Sequence, residues 1–477
     1  MASLYLRPQH LVGSRVLSAS LLNRNGAAAA FNSAALRNVA SLHSASATPI
    51  RWSSSRLPLT NPIIPACRFL TTPTSPVLLP NATPSAKPDT SGAELEAWIS
   101  DPAQYVVSVR FPDGAVTAFD SIWLRDHCRC PACFHQVTKQ RLLDTCSIPA
   151  DIKPTQMVVS ADQTKLDISW ANDGHVTSYD LAWLRKHSYA PKLQPVEPAG
   201  RKRPKLLWDR EIAQTIPSVR FDDVMNTEEG LAKWLENTDI YGIGFVDGVP
   251  TTPEATEKLA RRIAFIRETH YGGFWDVSAN MAHGDTAYTA IALPAHTDTT
   301  YFTDPIGLQL FHILEHSGGV GGESLYVDAF HVADRLRTSH PWAYDVLSRT
   351  RISAHSAGDA NTHIKPAHTF PILNHDPATG ALYQIRFNND DRSPLVGLSP
   401  ADVREFYAAL REWTKLMRDP ANELWIKLQP GRAAMVDNWR VLHGRASFTG
   451  YRRLTGAYIN WDDFRSRVRT VLDKEDV

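Results

Sequence analysis

The chain has 477 residues, with 50 Lys plus Arg against 50 Asp plus Glu, and five cysteines. That length allows more than one domain and a sizeable core, and the charge balance gives no global field for nucleic acid or for an anionic membrane. No apolar run approaches the roughly 20 residues of a membrane helix, and three cysteines crowd into Cys128-Arg129-Cys130-Pro131-Ala132-Cys133, too close to bridge one another without strain, which argues against a disulfide framework.

The balance conceals an asymmetry. From Met1 to Pro88 there is no acidic residue, while Arg7, Arg15, Arg24, Arg37, Arg51, Arg56 and Arg68 recur in a Ser/Ala-rich background. This composition reads as a mitochondrial transit segment with a matrix destination, and residues 1–92 are expected to stay outside the folded part.

Folded structure is expected from about Ala93. Val106 to Phe111, the turn Pro112-Asp113-Gly114 and Ala115 to Phe119 read as a hairpin. The stretch then recurs: Asp113 to His127 aligns with Asp173 to His187, with Asp, Gly, Val, Thr, Asp, Trp, Leu, Arg and His in common. Two copies of a strand leading into a short capped helix are predicted, forming a small β-rich domain over 93–194. Cys128, Cys130 and Cys133 follow the first copy, and His175 stands in the second where the first has Ala115. Three thiolates and one imidazole suit a closed tetrahedral zinc site that would staple a small domain. Redox thiols are the competing reading. Glu197 to Lys205 reads as a solvated linker within 195–215, its four cations being too few and too loosely held for a nucleic-acid patch.

A second domain is expected over 216–477. Leu231, Trp234 and Leu235 share a helical face, Tyr241 to Val246 reads as a buried strand, and Thr252 with Pro253 opens another helix. Gly307 to His312 and Ser324 to Asp328 are strand-like, separated by the glycine-rich turn Gly318 to Gly322. Val403, Phe406, Leu410, Trp413 and Met417 form the core stripe of a helix beginning at Ser399-Pro400. Ala433 to Val436 and Arg453 to Tyr458 are the last strands. Many short strands with a few packed helices predict a mainly β sandwich or jelly-roll barrel.

The chemistry centres on Ala295-His296-Thr297-Asp298-Thr299-Thr300-Tyr301-Phe302. On an extended strand His296 and Asp298 face the same side. With His443 from Val436-Asp437-Asn438-Trp439-Arg440-Val441-Leu442-His443-Gly444-Arg445 they make two histidines and a carboxylate, the facial triad of Fe(II) oxygenases. His-x-Asp alone is weak evidence, since it also fits an exposed strand end. Such an oxygenase takes electrons from 2-oxoglutarate, whose distal carboxylate needs a buried cation. Arg452 on the returning strand is the candidate, Ser324 could add a hydroxyl, and Arg453 should face the other way. Tyr271 to Asp276 and Asp285 to Tyr288 bring aromatic side chains that read either as core or as a cage for a quaternary ammonium.

From about Val106 to Asp463 the chain closely resembles the trimethyllysine dioxygenases, and slightly less closely the γ-butyrobetaine dioxygenases. The resemblance rests on Trp123-Leu124-Arg125-Asp126-His127-Cys128, His296 to Phe302, Arg386-Phe387-Asn388-Asn389 and Asp437 to Arg445. It implies a double-stranded β-helix with Fe(II) on His296, Asp298 and His443, and 2-oxoglutarate on Arg452, with Arg445 either assisting or bracing the fold. It also implies a zinc-bearing N-terminal domain, ascorbate as reductant, a homodimer, and an aromatic cage of Tyr271, Trp275, Tyr288 and Tyr458. Asp285 stands where the butyrobetaine enzymes look to carry Asn, so it is expected to pair with the α-ammonium of trimethyllysine while Asn388 binds the α-carboxylate. The implied reaction is hydroxylation of Nε-trimethyllysine at C3 by O2, the first step towards carnitine. A γ-butyrobetaine hydroxylase and a non-enzymatic zinc-scaffolded binding module are the rivals.

Overall fold

The repeat read in the sequence folds twice. In a computed structural model that describes residues 95–103, 105–171, 173–193, 203–278 and 286–474, β1 (Glu96–Asp101), β2 (Val106–Arg110) and β3 (Val116–Asp120) form one antiparallel sheet. A second is made by β4 (Pro154–Val159), β5 (Lys165–Trp170) and β6 (Val176–Asp180). Each third strand runs into a short helix, α1 (Ser121–Asp126) or α2 (Leu181–Lys186), N-capped by the aspartate that ends the strand. The copies are tied reciprocally. Arg125 donates to Asp173 at 2.7 Å, and Arg185 donates to Asp113 at 2.6 and 3.0 Å. Trp123 and Trp183 lie 5.8 Å apart, each stacked on the histidine four residues on. Val107, Phe119 and Leu124 of one copy share a core with Ile168, Tyr179 and Leu184 of the other.

The stretch 203–209 differs from the solvated linker that its charge predicts; residues 194–202, like the expected transit segment and Asp285, lie outside the described residues. Arg203 pairs with Asp473 at 2.6 Å and approaches Asp239 at 3.4 Å, while Trp208 is buried and donates to Asp328 and to the Tyr241 carbonyl. A basic residue here answers a buried acid far away in sequence, which composition does not reveal.

The larger β region contains β7 (Ser218–Arg220), β8 (Ile243–Asp247), β9 (Phe274–Ser278), β10 (Leu293–His296), β11 (Leu308–Ser317), β12 (Ser324–Asp328), β13 (Leu424–Ile426), β14 (Arg432–Asp437), β15 (Val441–Arg445) and β16 (Tyr451–Ile459). They form a six-stranded sheet in the order β9-β16-β11-β14-β8-β7 and a four-stranded sheet in the order β10-β15-β12-β13. The expected strand over 241–246 begins two residues later. Tyr241 still belongs to the helix α3 (Glu228–Tyr241), which ends on Gly242 at φ 73°.

Period-two alternation decides what each sheet face meets. Leu308 and Leu310 of β11, Ala433 and Met435 of β14, and Ala457 and Ile459 of β16 turn outward onto α3 and α4 (Pro253–Ile263). Leu325, Val327 and Leu442 turn outward from the smaller sheet. They meet α5 (Ala329–Ser339), α6 (Pro341–Arg349) and α7 (Pro400–Met417), whose Phe406, Trp413 and Met417 are core as the stripe predicts. Between the sheets Phe245, Ile313, Tyr326, Leu424 and Val436 pack together. The architecture is a double-stranded β-helix preceded by a small β-rich domain. Among the described residues no helix is long and apolar enough to cross a membrane.

Candidate active site and metal centres

Strand β10 ends at His296, and β15 brings His443 directly opposite it in register. The expectation that Asp298 continues the strand is wrong: residues 298–301 form a turn, with Thr299 at φ 56°. A β-branched residue rarely adopts that conformation, and here it folds Asp298 back onto the histidines. The Asp298 Oδ1 lies 3.1 Å from His296 Nε2 and 3.5 Å from His443 Nε2. The His296 Nδ1 donates to the Pro294 carbonyl at 2.7 Å, which leaves Nε2 with its lone pair for a metal. Burial opposes ionisation of both partners, yet Asp298 raises His296 to about 9, and the two imidazoles hold Asp298 well below the usual carboxylate range. The cluster thus wants positive charge at its centre. A divalent ion supplies that without protons, and this donor set, with sides left open, fits Fe(II).

The motif 437–445 builds this centre residue by residue. The buried Asn438 accepts from the Asp298 N–H at 2.7 Å and donates to the Asp298 and Ile306 carbonyls at 3.0 and 3.1 Å. Arg440 makes a fully buried bidentate pair with Asp328, at 3.0 and 2.8 Å, and donates to the Ile240 and Leu206 carbonyls. A Cβ on Gly444 would meet the Leu293 carbonyl at 2.6 Å, so glycine is what lets β10 lie against β15. From the other motif, Arg386 donates to the carbonyls of Thr300, Phe302 and Thr303, and Phe387 exchanges hydrogen bonds with Thr297. Asn438 and Arg386 hold the strained turn, and single-residue reasoning missed both roles; their place in nearly literal family motifs was the available signal.

The triad opens into a cavity of about 450 Å³, a volume suited to small-molecule ligands. Arg452, on the inner face of β16, lines it. Arg453 points away and pairs with Asp276, as alternation predicts. Arg452 is buried, its guanidinium lies 5.6 Å from the centre of the Phe448 ring, and its Nε has no hydrogen bond among the described residues. Burial, with the charge of Arg445 nearby, lowers it to about 10. A buried cation without a carboxylate is costly unless a ligand supplies one, which fits the distal end of 2-oxoglutarate. Ser324 is also buried on this wall, opposite Arg445 in register. Arg445 donates to the carbonyls of Ala287, Thr289 and Ile291 at 3.4, 2.7 and 2.9 Å, and so braces the segment that carries Tyr288.

Tyr271, Trp275, Tyr288 and Tyr458 line the same cavity. The Trp275 and Tyr458 rings lie 5.8 Å apart, and a Cβ on Gly456 would collide with the Trp275 indole, so glycine gives that ring its place. The Tyr458 hydroxyl donates to Asp298 Oδ2 at 3.0 Å, joining the aromatic wall to the metal triad. Asn388 is on the wall too, donating to Asp391 Oδ2 at 2.8 Å. Asp285 lies outside the described residues; Asp390 and Asp391, which sequence reasoning passed over, are on the cavity wall.

In the small domain Cys128, Cys130 and Cys133 converge on His175 Nε2 at 3.2, 3.5 and 3.6 Å. The four ligand atoms lie within 4.8 Å of one another, and Arg125 donates to Cys133 Sγ. Three sulfurs and one nitrogen on a shared centre are the donor set of structural zinc.

Comparison with known proteins agrees with both regions. Residues 202–458 match the family model "Taurine catabolism dioxygenase TauD, TfdA family", and residues 100–185 match "Gamma-butyrobetaine hydroxylase-like, N-terminal". A trimethyllysine dioxygenase of Meyerozyma guilliermondii is 45% identical over 76% of this chain and 92% of its own length. The mitochondrial trimethyllysine dioxygenase of Rattus norvegicus is 46% identical over 74% and 83%. A γ-butyrobetaine dioxygenase of Pseudomonas is 33% identical over 76% and 92%. On its fold, its metal-ligand sets and these relatives together, the chain belongs to the TauD/TfdA family of Fe(II)/2-oxoglutarate oxygenases, among the trimethyllysine and γ-butyrobetaine dioxygenases.

Proposed function

We propose that this protein hydroxylates Nε-trimethyllysine at C3, the first step of carnitine biosynthesis, with 2-oxoglutarate and O2 as co-substrates and ascorbate as reductant. The observation that carries the reading is one cavity combining a facial triad, a buried cation that no carboxylate among the described residues pairs with, and an aromatic wall. When bound, Fe(II) supplies the redox chemistry: 2-oxoglutarate is oxidised to succinate and CO2, one oxygen atom of O2 entering succinate and the other the substrate C–H bond.

The chain's own residues bind and orient. His296, Asp298 and His443 hold the metal, Arg452 receives the distal carboxylate of 2-oxoglutarate with Ser324 beside it, and Arg445 keeps Tyr288 in place. A trimethylammonium has no N–H to donate, so it is held by the faces of Tyr271, Trp275, Tyr288 and Tyr458. Asn388 receives the α-carboxylate, and Asp285 is assigned to the α-ammonium. Fixing both ends of a flexible chain turns C3 to the oxidant and lowers the entropic cost of reaction.

A zinc ion on Cys128, Cys130, Cys133 and His175 staples the small domain, 93–194, ahead of a linker, 195–215, and the catalytic domain, 216–477. The segment 1–92, which carries no acid up to Pro88, directs the chain to the mitochondrial matrix, and two chains form the working dimer. The test is a side-by-side assay of trimethyllysine and γ-butyrobetaine with Fe(II), ascorbate and 2-oxoglutarate. Coupled succinate formation with trimethyllysine is expected. Turnover of γ-butyrobetaine alone would reassign the substrate.

A further inference from the structure

Hydroxylation at C3 constrains where the substrate's amino group sits. C3 of trimethyllysine is its β-carbon, so the α-nitrogen is only about 2.5 Å away, across one bond angle. A carbon placed for oxidation beside the iron therefore puts the α-ammonium beside the iron as well, far from the aromatic cage at the other end of the side chain. An acid that reads this ammonium has to flank the metal triad.

Among the described residues lining the cavity the acids are Asp298, Asp390 and Asp391. Asp298 is committed to the metal centre, and Asp390 is exposed to solvent. Asp391 is half-buried, and it is positioned. Its Oδ2 accepts from Asn388 Nδ2 at 2.8 Å and from the Thr300 hydroxyl at 3.3 Å, and Thr300 is two residues past Asp298 in the turn that Arg386 locks. Asn388 is the amide assigned to the α-carboxylate, so the pair Asn388 and Asp391 presents a donor and an anion side by side, the complement of a carboxylate and an ammonium on one carbon.

We propose that Asp391 receives the substrate's α-ammonium and so selects an amino acid over the same chain without its amino group. This rests on the trimethyllysine reading above. An ammonium carries three N–H donors, so Asp391 need not be its sole acceptor.

The test compares trimethyllysine with the analogue lacking only the α-amino group, on the wild-type protein and on Asp391→Asn, by kcat/KM for substrate-dependent succinate formation. Wild type should prefer trimethyllysine. Asp391→Asn should lower that preference by roughly tenfold to a hundredfold, the worth of one hydrogen bond to a charged group, almost entirely through trimethyllysine. Substrate-independent decarboxylation of 2-oxoglutarate reports that the metal site is intact. Asn is isosteric and its amide oxygen can still accept from Asn388 and Thr300; Asp391→Ser, shorter and uncharged, is the second variant and should show the same fall. Equal losses on both substrates, or an unchanged preference in a variant that retains that decarboxylation, would mean that Asp391 merely holds Asn388 and would overturn the proposal. A wild-type protein that never turns over trimethyllysine would instead overturn the reading on which it rests.

Discussion

Asn438 tests whether the turn carrying Asp298 is held from outside the triad. Replacing it with Ala leaves the Asp298 N–H and the Asp298 and Ile306 carbonyls without their side-chain partner, three hydrogen bonds of 2.7 to 3.1 Å in a residue that is 1% exposed. At about 1 kcal/mol for each bond, and more where a buried group stays unpaired, the cost is about 3 kcal/mol of stability. The turn also contains Thr299 in the left-handed region, so once released it should relax and carry Asp298 away from the histidines. Loss of such a supporting contact typically weakens metal affinity about 10- to 100-fold. Denaturant unfolding of the metal-free protein would give the first quantity, and anaerobic Fe(II) or Mn(II) titration the second. Asn438→Asp should keep the bond from the Asp298 N–H but set a carboxylate against two carbonyls, and so be no better. An Asn438→Ala protein with wild-type stability and metal affinity would refute the reasoning.

Other outcomes follow from the same geometry. Arg452→Met should raise the KM for 2-oxoglutarate by about 10²-fold or more, because breaking a buried charge pair costs about 3–5 kcal/mol; yet it should stabilise the ligand-free protein, since among the described residues no carboxylate pairs with Arg452. A melting temperature that falls in the absence of 2-oxoglutarate would contradict this. His312 is fully buried, accepts from Gly431 N–H at 3.2 Å, lies 2.7 Å from the Thr256 hydroxyl, and is lowered to about 4 by burial. Folded and unfolded chains are alike neutral there above about pH 6.5, so its stabilisation is complete in that range. As pH falls towards 4 only the unfolded chain takes the proton, and about 3 kcal/mol is lost. Unfolding curves for wild type and His312→Gln should diverge over that window, and parallel curves would remove the argument. In the small domain, Arg125→Ala should cost several kcal/mol because its pair is mostly buried, whereas Arg185→Ala, the symmetry-related and more exposed pair, should cost under about 1 kcal/mol. Equal costs in thermal unfolding would show that burial does not separate them. Removal of zinc by a chelator should melt this domain while the larger one stays folded, as circular dichroism and metal analysis would reveal.

Much of this was legible in the sequence because it depends on local pattern. The repeated Asp-Gly to Trp-Leu-Arg-x-His stretch became two strand and helix units, since hairpin turn, cap and alternation are short-range properties. The outward Arg453 followed from period two on strand β16, whereas His443 and Arg452 were singled out as the second histidine and the buried cation that the chemistry calls for. The rest depended on long-range closure. Nothing within a few residues of Asp298 says that the chain turns at Thr299; the cause is Asn438 and Arg386, far along the chain. The cationic stretch near Arg203 looked solvated because its acids, Asp239 and Asp473, are distant in sequence. The three backbone carbonyls that Arg445 meets lie far back in the chain, so its contact with the Tyr288 segment could not be read locally. Asp391 was passed over because an acid beside a loop Asn is unremarkable until the fold sets it on the wall of the cavity that holds the triad.

C3 hydroxylation is read directly by mass spectrometry of trimethyllysine incubated with the protein, Fe(II), ascorbate and 2-oxoglutarate. A product with one added oxygen is expected, located at C3 by fragmentation, in step with succinate and absent from His296→Ala. Succinate formed without oxygen entering trimethyllysine, or a product unchanged by loss of His296, would contradict it.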